Sequence, residues 1–212
     1  MGVITAIEVQ KKRSKRRSIF VDGEFVAGVH EDVAAALNLS VGQTFDRDRL
    51  VELLKAETVR KAYDRAVRLI AYRDRSESEL RRRLLASDFS EEVVDEVIRK
   101  LCDAGLLNDE RFSREWVESR KLLKPMGRAG IAWELRSKGV DSETVEQALR
   151  DFDEETEFAL AMTAAERRLR KADRSDPTLR DKMASFLSRR GFDWDVIRKV
   201  LDELCPEDQA GG

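Results

Sequence analysis

The spacing of apolar residues changes near residue 46. Before that point they come in short runs with β-branched and aromatic character: ITAIEVQ from residue 4, then RSIFVDGEFVAGV from residue 17. Such runs favour extended backbone. Between them lies KKRSKRR at 11–17, with Ile4, Ala6 and Val9 on one side and Ile19, Phe20, Val21, Phe25 and Val26 on the other. Asp22-Gly23 divides the second run, and a tight turn there needs positive φ at both residues. The pattern predicts a small three-stranded sheet with KKRSKRR at a hairpin tip between Gln10 and Ile19. A short helix follows over EDVAAALNL, with Val33, Ala36 and Leu37 on its apolar face. From Asp46 onward the spacing is helical, beginning with RDRLVELLKAETVRKAYDRAVRLIAYR, which contains neither proline nor glycine.

The helical part repeats itself about every 50 residues. Setting Phe89 against Val140 and Phe192 aligns Leu80 with Ile131 and Met183, and Leu84 with Leu135 and Leu187. Beyond the loop, Val94, Val145 and Ile197 share a column, as do Val97, Ala148 and Val200. Ile98 falls with Leu149 and Leu201, and Leu101 with Phe152 and Leu204. The punctuation keeps the same register. Ser90, Asp141 and Asp193 are residues that accept a bond from an orphan N–H at a helix start. Gly139 and Gly191 stand where a helix end needs left-handed backbone, and Asp88 occupies that column in the first copy. Ser76-Glu77-Ser78-Glu79 reads as a capping box, Asp176-Pro177 as a cap with proline at the first helical position, and Asn108-Asp109 and Asp153 as further starts. The expected architecture is mainly α: three tandem three-helix repeats forming an elongated, curved helical solenoid, at 58–107, 108–152 and 153–205. A β-hairpin-rich extension with a short helix precedes them at 1–57, and a flexible tail follows at 206–212.

Composition supports a thin, surface-rich chain. Charged residues make up 39% of the 212 and apolar residues 42%, for a net charge of −2. Positive and negative charge nearly balance in every segment, so attraction to nucleic acid would have to come from one face. Cys102 and Cys205 lack a paired spacing, and there is no long apolar run or signal-peptide core. These features point to the reducing cytoplasm and away from a membrane. KKRSKRR also fits a nuclear-localisation pattern, against which stands the reading as a solvated turn.

The inventory for chemistry is poor. His30 is the single histidine and, beside Glu31 and Asp32, is expected at the surface. No cysteine–histidine cluster suits zinc and no glycine-rich loop suits a nucleotide, so neither metal nor other cofactor is expected. Glu91, Glu92, Asp95 and Glu96 fall on polar faces between core positions. Phe112 and Trp116 are four apart, as core residues of one helix are. Trp133 and Trp194 occupy columns that are polar in the other repeats, which suits either a partner surface or edge packing.

RSESELRRRLL, the central GLLNDERFSREWVESR and PMGRAGIAWELRSKGVDSETVEQAL together resemble the RecX family of bacterial RecA regulators. The most specific matches include Gly105, Leu106, Asn108, Asp109, Arg111, Phe112 and Trp116, followed by Gly127, Leu135 and Gly139, residues of mostly structural role. The resemblance covers about residues 58–205, with Asp88 in place of the usual glycine and Ser113 where alanine is common. It implies three three-helix repeats, in agreement with the period. It also implies a non-enzymatic role: binding as a monomer in the groove of the RecA–DNA filament and damping recombinase, ATPase and coprotease activity, with weak direct DNA binding in some members.

Candidate contacts with such a partner or with nucleic acid are Lys11, Lys12, Arg13, Lys15, Arg16 and Arg17, then Arg81, Arg82 and Arg83, then Arg120, Lys124, Arg128 and Trp133. KKRSKRR has no acid between Val9 and Val21, so its charges are expected to be free of local ion pairs and to meet phosphate or an acidic rim. Two other classes stand beside this reading. One is a direct DNA-binding module with Arg81-Arg82-Arg83 on its recognition helix; the other is a metal-dependent nuclease built on the abundant acids.

Overall fold

The structure, a computed structural model, describes residues 1–11 and 13–205, with the backbone alone at Arg13 and Ser14. Lys12 and the expected tail at 206–212 lie outside the described residues. Two compact units emerge, residues 1–108 and 109–212.

The first unit begins with β1 (Gly2–Gln10), β2 (Arg13–Val21) and β3 (Glu24–His30), then α1 (Glu31–Ala36) and β4 (Thr44–Phe45). The sheet is antiparallel in the order β3-β2-β1-β4 and thus has one short strand more than the pattern predicts. Asp22 and Gly23 turn with φ of 51° and 84°, as that dipeptide requires. Most of KKRSKRR is strand and not a hairpin tip: among the described residues only Lys11 lies in the turn between β1 and β2. Residues 13–17 belong to β2, where Arg17 pairs with Val9 and Val29, and Arg16 pairs with His30. The register shifts between Val9 and Gln10, so a bulge absorbs the extra residues of the run. On α1 it is Val33 and Ala34 that are buried, with Leu37 partly buried against the same core; Ala36 faces solvent, because at about 100° per residue it falls off the face that Val33, Ala34 and Leu37 share.

Helix α2 (Arg47–Tyr72) runs unbroken through residue 57, where the sequence places a boundary. Asp46 caps it, accepting from the Arg49 N–H at 3.0 Å. Its first half contributes Leu50 and Leu54 to a core with Ile4, Ile19, Val21, Val29 and Val33. Its second half contributes Val59, Ala62 and Ala66 to a second core with α3 (Glu77–Leu85) and α4 (Glu91–Asp103). One helix therefore serves two cores, and no linker separates them. Side chains tie the sheet to the same repeat. His30 is not a surface residue: it caps α1 and stacks on Phe89, ring centroids 6.2 Å apart.

The second unit holds α5 (Asp109–Leu122), α6 (Arg128–Ser137) and α7 (Ser142–Ala148), then α8 (Glu154–Leu169), α9 (Leu179–Arg189) and α10 (Trp194–Leu204). The repeat register is visible in its burial. Every residue of the aligned apolar columns is buried except Ala148 and Leu204, which are partly buried. Asp88, Gly139 and Gly191 all have left-handed backbone, with φ of 64°, 82° and 74°. Asp88 thus performs the glycine role at the cost of strain in a residue with a Cβ. Asp176 does not cap a helix. Its carboxylate accepts from the Thr178 N–H at 2.9 Å and the Thr178 hydroxyl at 2.7 Å, forming a turn that delays α9 to Leu179.

Within this unit the two repeats meet at close backbone contacts. A Cβ on Gly127 would lie 2.2 Å from the Gly191 carbonyl oxygen, and one on Gly130 2.2 Å from that of Arg190. Glu157, buried on α8, accepts at one oxygen from the Arg128 and Asp193 N–H groups, each at 3.2 Å, and so caps α6 and α10 together. Burial pushes its carboxyl above the usual carboxylate range.

Candidate functional site

The cations singled out in the sequence fall in three places, and their partners differ. In the β2 stretch, Lys11 and Lys15 are exposed. Lys12 and the side chains of Arg13 and Ser14 lie outside the described residues. Arg16 donates to the carbonyls of Gly28 and Asp88, fastening the strand to the turn between α3 and α4. Arg17 forms an ion pair with Glu31 at 2.7 Å. The expectation that the whole run is free of ion pairs is therefore corrected: Glu31, distant in sequence, is brought beside it by the β2–β3 pairing. Two of the six charges hold the fold.

The second place is the end of α3. Arg81 turns toward α4 and pairs with Asp95, and with Glu77 at 3.4 Å. Arg82 and Arg83 turn the other way, into a cleft of about 340 Å³ lined also by Arg73, Arg75, Glu79 and Ala86. Arg75 is only 8% exposed and donates from Nε to the Leu69 carbonyl at 3.1 Å. That bond satisfies an orphan acceptor in the last turn of α2. Burial, together with the like charges of Arg73 and Arg83, holds its guanidinium below the usual arginine value.

The third place is built by α5 and α6. Trp116 is clasped between two cations, with the Arg120 guanidinium 4.0 Å from the ring centroid and the Lys138 ammonium 4.2 Å from it. Its indole N–H donates to Glu134 at 2.9 Å. Glu134 also receives Arg120 at 2.5 Å and Lys124 at 3.4 Å. Burial works against the charge on Glu134, yet Arg120, Trp116 and Lys124 outweigh it and hold the carboxyl below its usual range. Arg128 is likewise engaged, with Glu146 at 2.7 Å and with the Leu149 carbonyl. Three candidate contacts, Arg120, Lys124 and Arg128, thus have carboxylate partners within their own unit. Trp133 stands apart on α6, 69% exposed, and Trp194 is 58% exposed at the start of α10.

The motif residues explain themselves as structure. Gly105 ends α4 with φ of 66°, Leu107 is buried beside the half-exposed Leu106, and α5 begins at Asp109 directly after Asn108. Phe112 is buried with its ring 5.7 Å from Trp116, and Leu135 is fully buried. Ser113 has no exposed surface, and its hydroxyl has no hydrogen-bond partner among the described residues. Arg73, Arg75 and Tyr72 escaped the sequence reading because each looks like an ordinary polar residue at a helix end. Only the fold brings Arg73 and Arg75 to Arg82 and Arg83, and Tyr72 to Arg75.

Four family models match consecutive stretches of the chain: the regulatory protein RecX N-terminal domain over residues 2–46, and the first, second and third RecX three-helix domains over 62–101, 108–149 and 155–201. The chain belongs to the RecX family. A relative named regulatory protein RecX, from Clostridioides difficile (strain 630), is 31% identical over 210 residues, covering 99% of both chains. The same-named protein of Bacillus subtilis (strain 168) is 33% identical over 205 residues, 96% of this chain and 78% of its own. Among solved structures, a crystal structure of regulatory protein RecX matches with a TM-score of 0.64 at 28% identity over 95% of this chain and 100% of that one. RecX from Lactobacillus salivarius matches with 0.60 at 26% over 70% and 97%. The family's three three-helix domains correspond to α2–α4, α5–α7 and α8–α10. Among the described residues no helix is long and apolar enough to cross a membrane.

Proposed function

We propose that this chain is a non-enzymatic modulator of RecA, mainly an inhibitor, that binds in the groove of the RecA–DNA filament and damps its recombinase, ATPase and coprotease activities. The observation that carries this reading is the series of four consecutive RecX-family matches, over residues 2–46, 62–101, 108–149 and 155–201. It fits a protein that works by occupying a surface. The exposed Trp133 and Trp194, with Leu122 and Leu123 at 70% and 77% exposure, are the apolar contacts such a role would use. Action in the cytoplasm as a monomer belongs to the same reading.

The test is RecA's ATPase on single-stranded DNA, with and without this protein. A fall at substoichiometric amounts is expected; unchanged turnover while filaments form would sink the proposal. A second reading, a helical module that binds DNA directly, is favoured by Arg82 and Arg83, which among the described residues lack the carboxylate partners that Arg81 has. It would show as binding to DNA without RecA.

A further inference from the structure

The loop that joins α5 to α6 lies against α8 and α9, and the surface they form combines two features that do nothing for folding. Leu122 and Leu123, adjacent in the chain, both hold their side chains in water. Arg167 on α8 donates to the Leu123 carbonyl at 3.4 Å, and Arg190 at the end of α9 donates to the Pro125 carbonyl at 2.8 Å. Arg190 also lies over the half-buried ring of Phe186, 4.6 Å from its centroid, and Arg168 approaches the same ring at 5.7 Å. Among the described residues none of these three arginines has an ion pair. Burial and the like charge of Arg167 hold the Arg190 guanidinium below the usual arginine value. Cations gathered without a carboxylate repel one another. One exposed leucine needs no explanation, but a pair rimmed by unpaired arginines does.

We propose that this surface docks an acidic segment of a partner protein, with a large apolar side chain of that segment on Leu122 and Leu123 and its carboxylates on Arg167, Arg168 and Arg190. Charge complementarity sets the sign of the partner. A carboxylate matches the planar guanidinium fork with two parallel bonds, and stacking on Phe186 holds Arg190 ready to receive one. The leucines select a protein over a nucleic acid. A sugar–phosphate strand would meet the arginines and leave Leu122 and Leu123 in water, since leucine offers a base no π-face to stack on. A peptide can cover the leucines and neutralise the cations at one place, and arginine beside an apolar anchor is the composition of interface centres. The surface lies wholly in the second unit. Such docking rests on the reading of the chain as a non-enzymatic modulator of a protein partner, and adds to it the chemistry and the place of contact.

The experiment is fluorescence anisotropy of three labelled peptides titrated with the full chain at several salt concentrations. One alternates aspartate with leucine and phenylalanine, one has serine in place of the apolar residues, and one has lysine in place of aspartate. The acidic–apolar peptide should bind best, at least about fivefold more tightly than the serine peptide, and its affinity should fall as salt rises. Leu122→Ser/Leu123→Ser should abolish the preference over the serine peptide. Arg167→Gln/Arg168→Gln should weaken the acidic–apolar peptide by at least about fivefold and flatten its salt dependence. Arg65→Gln/Arg68→Gln, which removes the same charge from exposed positions on α2, should behave as the parent. Thermal melts of each variant confirm that it is folded. Failure of the acidic–apolar peptide to bind would overturn the proposal, as would equal binding of all three peptides or indifference to both the leucine and the arginine variants. An oligothymidylate that binds through Arg167 and Arg168 when the peptides do not would transfer the patch to nucleic acid. RecA's ATPase separates this site from the reading beneath it. If the parent damps turnover yet binds none of the peptides, the docking surface fails alone; if the peptides bind as expected and turnover is unchanged, the modulator role fails alone.

Discussion

Two clusters of cations occupy the first and second three-helix repeats, and they have opposite internal balance. Around Trp116, two cations clasp the ring and a half-buried carboxylate, Glu134, receives Arg120, Lys124 and the indole N–H. Around Arg75, one carboxylate meets four guanidiniums and is used up by Arg73. The sequence presents both as arginines and lysines on helices. What separates them is whether a residue far along the chain supplies the counter-charge: Glu134 reaches back from α6 to α5, and among the described residues nothing equivalent reaches Arg82 or Arg83. A complete internal network contributes to stability and specificity of packing, and an incomplete one leaves donors for a ligand.

The comparison requires that the scaffolds beneath the two clusters be equivalent. Leu84→Ala, Leu135→Ala and Leu187→Ala, in the same column and all fully buried, should each cost about 2–5 kcal/mol in chemical denaturation. Losses outside that range in one repeat alone would attribute the contrast to packing and not to charge.

The next effect concerns the charges themselves. Removing the carboxylate in Glu134→Ala strands Arg120, whose side chain is 16% exposed, and should cost about 2–4 kcal/mol. Arg82→Gln/Arg83→Gln should stay within about 0.5 kcal/mol, because among the described residues those head groups have no ion pair and only the exposed Arg82 Nε bond to the Ser78 carbonyl is lost. A reversal of that order would erase the distinction between the clusters. The same contrast has a pH signature. The folded-state pKa of Glu134 lies below its unfolded value of 4.5, so its stabilisation is present above about pH 4.5 and is lost as pH falls through the folded value. Glu134→Gln should flatten the acid limb of the melting curve. Glu157 acts with the opposite sign, since burial raises its pKa and the folded state binds the proton more readily. Glu157→Gln, which keeps an oxygen for the Arg128 and Asp193 N–H groups, should therefore melt no lower than the parent at pH 7.

The smallest expected effect lies at Ser113, directly after Phe112 in α5. Its orphaned buried hydroxyl makes Ser113→Ala stabilising by about 0.5–1 kcal/mol, since the unpaired group is removed for the loss of a single atom. A destabilised variant would show that the hydroxyl has a partner after all, and that the second repeat is better satisfied than its hydrogen bonds indicate.

Much of the molecule was settled by local rules that any one segment carries in itself. Helical spacing, the shared column of Asp88, Gly139 and Gly191, the caps at Asp46, Ser76, Asp141 and Asp153, and the Asp22-Gly23 turn each follow from the conformations their residues favour. The three repeats could be read by comparing the chain with itself. Three things could not be read that way. Helix α2 serves two cores at once, because a continuous helix carries no mark where its apolar stripe changes partner. Residues 13–17 of KKRSKRR became strand, fastened through Arg16 and Arg17, because their register is set by pairing with β1 and β3, and the counter-charge Glu31 arrives from beyond the next strand. The fate of each cation, whether neutralised like Arg120 or left open like Arg83, depended on which distant side chain the packing delivered. Conformational preference acts over a few residues, whereas electrostatic compensation acts through space, and for that reason the tertiary structure alone decided it.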